Sequence, residues 1–262
     1  MRTHFILLGT LVFLAACNEQ TVRKQGFGVH GIDVSHYQKA IDWRQVAAQE
    51  VQFAFIKASE GEGMQDTLFC QNWDAMRSAG IVRGAYHFFR PGVPAALQAH
   101  NFLSTIDLQH GDLPPVLDVE VTDGYTPEQV LQGVNTWLSI VEDAYKVKPI
   151  VYSNQKFFNR YLAANLSGYP VWVARYTNIW SPEIKEGHAW SFWQYGNHGR
   201  LKGIAGDVDF NVFNGSVDHL ESLTIHRPLP LLDKMPEPVP APSPLPAVAP
   251  APAHGEPVAA NP

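Results

Sequence analysis

From residue 28 onward, short apolar runs bounded by Gly or Pro alternate with stretches whose apolar positions recur every three or four residues. The first kind fits buried strands and the second fits helices lying on a sheet. Five such pairs follow one another. The strands are GVHGIDV (28–34), VQFAFIKAS (51–59), VRGAYHFF (82–89), PVLDVE (115–120) and PIVYSN (149–154). Helices are expected over 42–49, 66–79, 94–106 and 126–145, with a short one through Arg160. Their ends carry stop and start signals: Asp42 as an N-cap, Gly80 as a C-terminal stop, Pro94 in a first turn, and Thr126-Pro127-Glu128-Gln129 as a capping box with proline at N1. The pattern then changes. VWVARYT (171–177), AWSFWQY (189–195) and GDVDFNVF (206–213) read as strands whose connectors are too short for full helices. The pattern predicts a single α/β domain, a modified TIM-like barrel of (β/α)5(β)3 form closed by parallel strands. An open doubly wound sheet is the structural alternative, and the missing G-x-G-x-x-G after the first strand weakens a nucleotide-binding version of it.

Polar residues punctuate the ends of these strands. Asp33 closes the first, Lys57, Ser59 and Glu60 the second, and His87 the third. Asp118 and Glu120 close the fourth and Tyr152 the fifth. Arg175 and Tyr176, then Trp193 and Gln194, then Asp209 belong to the last three. In a parallel barrel those ends meet at one rim, where barrel enzymes keep their chemistry. The run Leu117-Asp118-Val119-Glu120 is the most informative. Side chains alternate along a strand, so Asp118 and Glu120 share a face with Cα atoms roughly 6.5–7 Å apart. Two acids so close in an apolar frame repel and are desolvated, which raises at least one pKa.

Asp33, Asp118, Glu120 and Asp209 are therefore the candidate catalytic acids, ringed by Tyr37, Tyr86, Tyr152, Trp172, Tyr176, Trp193 and Tyr195. Carboxylates among aromatic platforms suit a sugar polymer, whose apolar ring faces stack while acids act on the glycosidic oxygen. The candidate substrate contacts are Tyr86, Tyr152, Trp172, Tyr176, Trp193 and Gln194. A metal set drawn from Asp33, His36, His87, Asp118, Glu120 and Asp209 is the competing chemistry, without an H-E-x-x-H motif to support it. No G-x-S-x-G is present. Cys70 falls in an apolar-periodic stretch and is expected as a small core residue. No cofactor motif is found.

The two ends differ from the middle. Residues 1–16 carry one early positive charge and then an apolar run that fits a secretion signal, too short for a comfortable membrane span. Leu14-Ala15-Ala16-Cys17 resembles the lipobox of bacterial lipoproteins, which makes Cys17 the lipidation residue and the membrane a partner through its lipid. Asn18 after that cysteine, where Asp would imply inner-membrane retention, points to the outer membrane, facing the periplasm. Residues 17–25 form a short tether, 26–226 the barrel domain, and 227–262 a Pro/Ala-rich tail expected to stay extended. The balance of 19 Lys+Arg against 25 Asp+Glu leaves no basic stripe, which argues against a nucleic-acid partner.

Taken in order, Gly31-Ile32-Asp33-Val34-Ser35-His36-Tyr37-Gln38, Phe55-Ile56-Lys57-Ala58-Ser59-Glu60-Gly61, Ala85-Tyr86-His87-Phe88, Leu117-Asp118-Val119-Glu120, Trp193-Gln194-Tyr195 and Val208-Asp209-Phe210-Asn211 resemble glycoside hydrolase family 25. The resemblance implies a lysozyme that cuts the β-1,4 bond between N-acetylmuramic acid and N-acetylglucosamine in peptidoglycan, without a cofactor. It implies Glu120 as general acid with Asp118 assisting, and Asp33 and Asp209 lining the same pocket. A catalytically silent peptidoglycan-binding lipoprotein on the same barrel is the alternative. Two positions depart from the family pattern. Lys39 stands where a small residue or Glu is frequent, and Met64 where an aromatic or Leu is common.

Overall fold

The computed structural model describes residues 22–177 and 180–226. The signal-like segment with Cys17, and the tail from 227, lie outside the described residues.

The elements follow the expected alternation. Strand β1 (Val29–Val34) leads to α1 (Trp43–Ala47), β2 (Phe53–Glu60) through the two-residue β3 (Met64–Gln65) to α2 (Phe69–Ser78), and β4 (Val82–Phe88) to α3 (Ala95–Thr105). Next come β5 (Val116–Asp118), the long α4 (Pro127–Tyr145), β6 (Ile150–Asn154) and a short α5 (Gln155–Phe157) that widens into a π turn over Phe158–Leu162. After β7 (Val171–Ala174), β8 (Phe192–Gly199) and β9 (Val208–Phe213) only a terminal α6 (Val217–Leu223) remains. The sheet order β1-β9-β8-β7-β6-β5-β4-β2 is closed by a parallel β1–β2 pairing, and β3 hangs on β2 as a hairpin flap. This is the expected closed α/β barrel.

Most of the end signals work as read, although Pro94 is the N-cap of α3 and lies outside its first turn. Asp42 caps α1 by accepting from the N–H groups of Arg44 and Gln45, and Thr126 with Gln129 closes a capping box on α4 with Pro127 at N1. Helix α2 begins at Phe69, later than position 66, because the Asp66 side chain is drawn to the loop after β1, where it accepts from the His36 N–H and ring.

One expectation needs correcting. Seven barrel strands run parallel, whereas β9 runs antiparallel to both β8 and β1. The cause is the β8–β9 connection, a hairpin carrying Gly203 and Gly206 at φ +92° and +104°, conformations glycine adopts without cost. Asp209 therefore reaches the rim formed by the C-terminal ends of the parallel strands from the beginning of a reversed strand, not from the end of a parallel one.

Strand alternation divides the core in two. Val29, Phe53, Phe55, Val116, Ile150, Trp172, Phe192 and Phe213 fill the barrel interior. Their neighbours Ile32, Ala54, Ile56, Leu117, Val151 and Val173 face outward under helices carrying Phe102, Trp137 and Leu138. The interior aromatics fit because β1 and β4 each offer a glycine: a Cβ at Gly31 or Gly84 would lie 2.5 or 2.4 Å from the Phe53 or Phe55 ring. Over β8, where no helix follows β7 among the described residues, the irregular segment before β1 substitutes. Val22 is buried and its carbonyl accepts from Tyr195 OH at 2.7 Å, and the Lys24 ammonium lies 4.2 Å from the Trp193 ring centroid and 4.7 Å from that of Tyr195. Among the described residues, Val22 in the stretch read as a tether is thus part of the packed core.

Cys70 is also corrected. It is exposed on α2, because that helix buries Phe69, Asn72, Trp73 and Met76, a stripe that leaves position 70 facing solvent.

Lys39 has an explanation in its backbone. It follows the capped turn His36–Gln38 at φ 58°, ψ −146°, a region strongly disfavoured for residues with a Cβ. A small residue there is relaxed, and Lys39 is strained. Lys39→Gly is expected to stabilise the domain by about 1 kcal/mol, raising Tm by roughly 2–4 °C in calorimetry; an unchanged or lowered Tm would contradict the strained backbone.

Candidate active site

The chemistry gathers where interior-facing positions reach the rim. Asp33 on β1 and Asp209 on β9 are direct cross-strand partners. Gln194 on β8 ties them together, its Nε2 donating to Asp33 Oδ2 at 2.8 Å and to Asp209 Oδ2 at 3.1 Å. Its Oε1 in turn accepts from Tyr152 OH at 2.8 Å and Tyr176 OH at 2.9 Å. Asn211 Nδ2 donates to Asp33 Oδ2 at 2.7 Å, and Trp172 Nε1 donates to Asn211 Oδ1 at 2.8 Å. Each amide is thereby locked in one orientation by the donors behind it.

Asp118 and Glu120 come from the end of β5, which the sheet holds on both sides. Phe89 N–H donates to Asp118 O, Val119 N–H to Tyr152 O, and Ser153 Oγ to Val119 O. Val119 points outward into the helical layer, so its two neighbours point inward. Asp118 is 5% exposed, and its Oδ1 has no hydrogen-bond partner among the described residues. Glu120 is half-buried.

Burial is the leading cause of the raised pKa of all four acids. Asp33 rises to about 6, with the amides of Asn211 and Gln194 and the carboxyl of Asp209 pulling it back. Asp209 rises further, to about 9, because Asp33 beside it is the next cause and Asp209 holds the proton of their shared hydrogen bond. Asp118 is pushed well above the carboxylate range by burial and then by Glu120, with the Lys57 ammonium opposing. Glu120 is raised by burial and by Asp33. The Asp33–Asp209 pair therefore retains a proton near neutrality, on Asp209. In the second pair both acids are raised, and Asp118, the more deeply buried, is favoured to hold the proton between them. Tyr86 and Tyr152 are held neutral by burial and the surrounding carboxylates.

The structure separates the other predicted residues. Tyr86, Tyr152, Tyr176 and Gln194 stand at the mouth with the acids; Tyr176 is 55% exposed. Trp172 and Trp193 do not present platforms, both being 1% exposed. Trp172 fills the barrel below the acids, its ring centroid 4.4 Å from that of Phe55. Trp193 has the opposite parity to Gln194 and lies outside the barrel under Lys24 and Phe27. His87 is likewise on the outer face, between Ser59 Oγ and Gln98 Oε1. His36 is held by Asp66. Among the described residues no three His, Cys, Asp or Glu side chains gather as a metal-ligand set. Asn211 was missed as a site residue, although it sits two positions after Asp209 and so on the same face. With Asp118 and Glu120 able to exchange a proton in a half-dry mouth, the arrangement can protonate a leaving oxygen and stabilise developing positive charge.

Comparison with known proteins agrees with this geometry. The profile described as Glycosyl hydrolases family 25 matches residues 32–204, a span that contains Asp33, Asp118 and Glu120 and stops before Asp209. The uncharacterized protein YegX of Escherichia coli (strain K12) is 45% identical over 201 residues, covering 75% of this chain and 73% of that one. Lysozyme M1 of Streptomyces globisporus is 36% identical over 215 residues, covering 75% and 71%. Among solved structures, a bacterial lysozyme from Streptomyces coelicolor superposes with a TM-score of 0.69 at 35% identity, over 75% of this chain and 97% of that one. A family 25 glycosyl hydrolase from Bacillus anthracis gives 0.72 at 31% identity, over 77% and 96%.

The electrostatics carry a stability consequence. A raised acid stabilises the fold below its unfolded pKa and loses that contribution as pH rises through the folded value. For Asp209 the loss runs from about pH 4 to about 9. Asp209→Asn is therefore expected to match the parent near pH 4 and exceed its Tm at pH 8 by roughly 3–6 °C, the shift that about 1–2 kcal/mol produces in a domain of this size. A Tm difference independent of pH would contradict the assignment.

Proposed function

We propose that this chain, a member of glycosyl hydrolase family 25 and a glycoside hydrolase, is a muramidase that hydrolyses the β-1,4 bond between N-acetylmuramic acid and N-acetylglucosamine of peptidoglycan. The observation that carries the reading is the Asp118–Glu120 pair: two same-face carboxyls at a barrel mouth, both raised, beside a second acid pair.

Glu120, the more open of the two, is the general acid. Its proton passes to the glycosidic oxygen as the C1–O bond breaks, the bonding electrons leaving with that oxygen. Water then supplies hydroxyl to C1 and returns the proton to Glu120. For this Asp118 has to be charged while Glu120 is protonated, the reverse of the resting preference. The substrate supplies the bias. Asp118 Oδ1 is a buried acceptor without a partner among the described residues, and an acetamido N–H donated to it favours its ionised form. The proton then moves to Glu120, so that the acid is armed when an N-acetylated sugar is bound. Asp33, anchored by Asn211 and Gln194, adds negative charge facing the developing cation, and Asp209 keeps it oriented. Tyr86, Tyr152 and Tyr176 border the sugar, with Tyr152 and Tyr176 donating to Gln194.

The lipobox-like Leu14-Ala15-Ala16-Cys17 supports lipidation of Cys17, and Asn18 supports an outer-membrane anchor with the barrel facing the periplasmic wall. Palmitate labelling lost in Cys17→Ala, with fractionation of the parent to the outer membrane, is the expected result.

On purified peptidoglycan, Glu120→Gln should lower reducing-end release by about 10²–10⁴-fold, with muropeptides from the parent ending in reducing N-acetylmuramic acid. Undiminished release by the variant would overturn Glu120's role. Binding of the parent to the glycan with no turnover would favour the non-catalytic alternative.

A further inference from the structure

Lys57 is a long cationic side chain that points into the acid mouth from the barrel wall. It belongs to the interior-facing series of β2 after Phe53 and Phe55, and is 8% exposed. Its Nζ bonds Glu60 Oε2 at 2.5 Å. An acid three positions along a strand ordinarily faces the other way. Here the β2–β4 register slips between Lys57 and Ser59, which turns Glu60 back to the Lys57 side. Glu60 is itself held by Arg90, with Nε at 2.8 Å and Nη2 at 2.6 Å from Oε1. Arg90 Nη1 reaches Asp123 at 3.7 Å. Asn101 Nδ2 fixes the turn beneath by donating to the carbonyls of Gly61 and Met64. The result is a braced chain of alternating charge, Lys57–Glu60–Arg90–Asp123, that ends on an ammonium aimed at the acids.

We propose that Lys57, held by Glu60 and Arg90, is a positioning residue that sets the working proton count of the Asp118–Glu120 pair. This inference rests on the muramidase reading and adds the group that tunes it. Five titratable groups besides Glu60 lie on the strand ends around Lys57: Asp33 on β1, Tyr86 and His87 on β4, and Asp118 with Glu120 at the end of β5; His87 is on the outer face, where burial lowers its pKa to about 4 and keeps it neutral. Lys57 opposes the rise of Asp118 directly. Tyr86 is neutral, and Asp33 already has the amides of Asn211 and Gln194, so the ammonium's field falls mainly on the second pair. The bulge has a reason on this account: it brings Glu60 round to brace Lys57 without adding a fifth acid to the mouth, since Arg90 neutralises Glu60 from behind.

The pair is active with one proton, so activity falls on the acid side as it gains a second and on the alkaline side as it loses its last. Removing a nearby positive charge disfavours ionisation and raises both limits; removing a nearby negative charge lowers both. Lys57→Met is then expected to shift the whole pH–rate profile up by about one unit, and Glu60→Gln, which leaves Lys57 without its carboxylate, to shift it down by a smaller amount. Lys57→Arg should restore the parent profile. In Lys57→Met, Glu60 keeps Arg90, and circular dichroism with Tm establishes folding. If Lys57→Met does not fold, the Glu60→Gln and Lys57→Arg profiles decide alone. Profiles that stay put while rates fall uniformly, or that move in the same direction, would overturn the proposal. Glu120→Gln measured alongside separates the failures: an active Glu120→Gln variant refutes the acid assignment itself, whereas an inactive one with an unmoved Lys57→Met profile refutes only the role of Lys57.

Discussion

Four carboxyl groups in one partly dry mouth cannot all ionise, and most of the surrounding structure answers that constraint. Asp33 and Asp209 face each other across a strand pair, and Asp118 and Glu120 share a strand face. Water is too restricted there to screen them. Ionisation is held back in both pairs, and the neighbours decide which partner keeps its proton longer. Amide donors from Gln194 and Asn211 favour charge on Asp33, which leaves the proton on Asp209. Lys57 favours charge on Asp118 against its burial. The tyrosines at the mouth contribute hydroxyl donors and no charge.

The barrel delivers those groups by simple means. Interior positions below the acids are filled by Phe53, Phe55, Trp172, Phe192 and Phe213, so the mouth has a packed aromatic floor. Glycines at 31 and 84 admit the two phenylalanines of β2. Where the helical jacket is missing, the segment from Val22 to Phe27 covers β8 through Tyr195, Trp190 and Trp193, and so supports the strand that carries Gln194. The reversed β9 brings Asp209 and Asn211 to the same face, two residues apart, and both meet Asp33.

Much of this was legible in the chain because strand and helix periods are local. Capping at Asp42 and Thr126, the eight barrel strands and the inward parity of Asp118 and Glu120 all follow from spacing. Direction was not legible: β9 reads the same forwards or backwards, and only the hairpin glycines at 203 and 206 hint at a reversal. Nor was the facing of single aromatics. Trp193 and Gln194 are adjacent and must point oppositely, yet which of them faces the acids depends on the register with β7 and β9. Cys70 was misplaced for a related reason, since the α2 stripe passes through 69, 72, 73 and 76 and its apolar neighbours obscured that phase. Nor was the Lys57–Glu60 contact legible, because it depends on the bulge in the β2–β4 register.

Burial and mutual repulsion hold back ionisation of all four acids, Asp209 most of all among those with a defined value. Carbon-13 NMR titration of Asp- and Glu-labelled protein, with the four carboxyl signals assigned from single Asp→Asn and Glu→Gln variants, reads this directly. The expected result is that Asp209 titrates near 9 and Asp33 near 6, with Asp118 and Glu120 both titrating above the ordinary carboxylate range. Four carboxyls all titrating near pH 4 would contradict it.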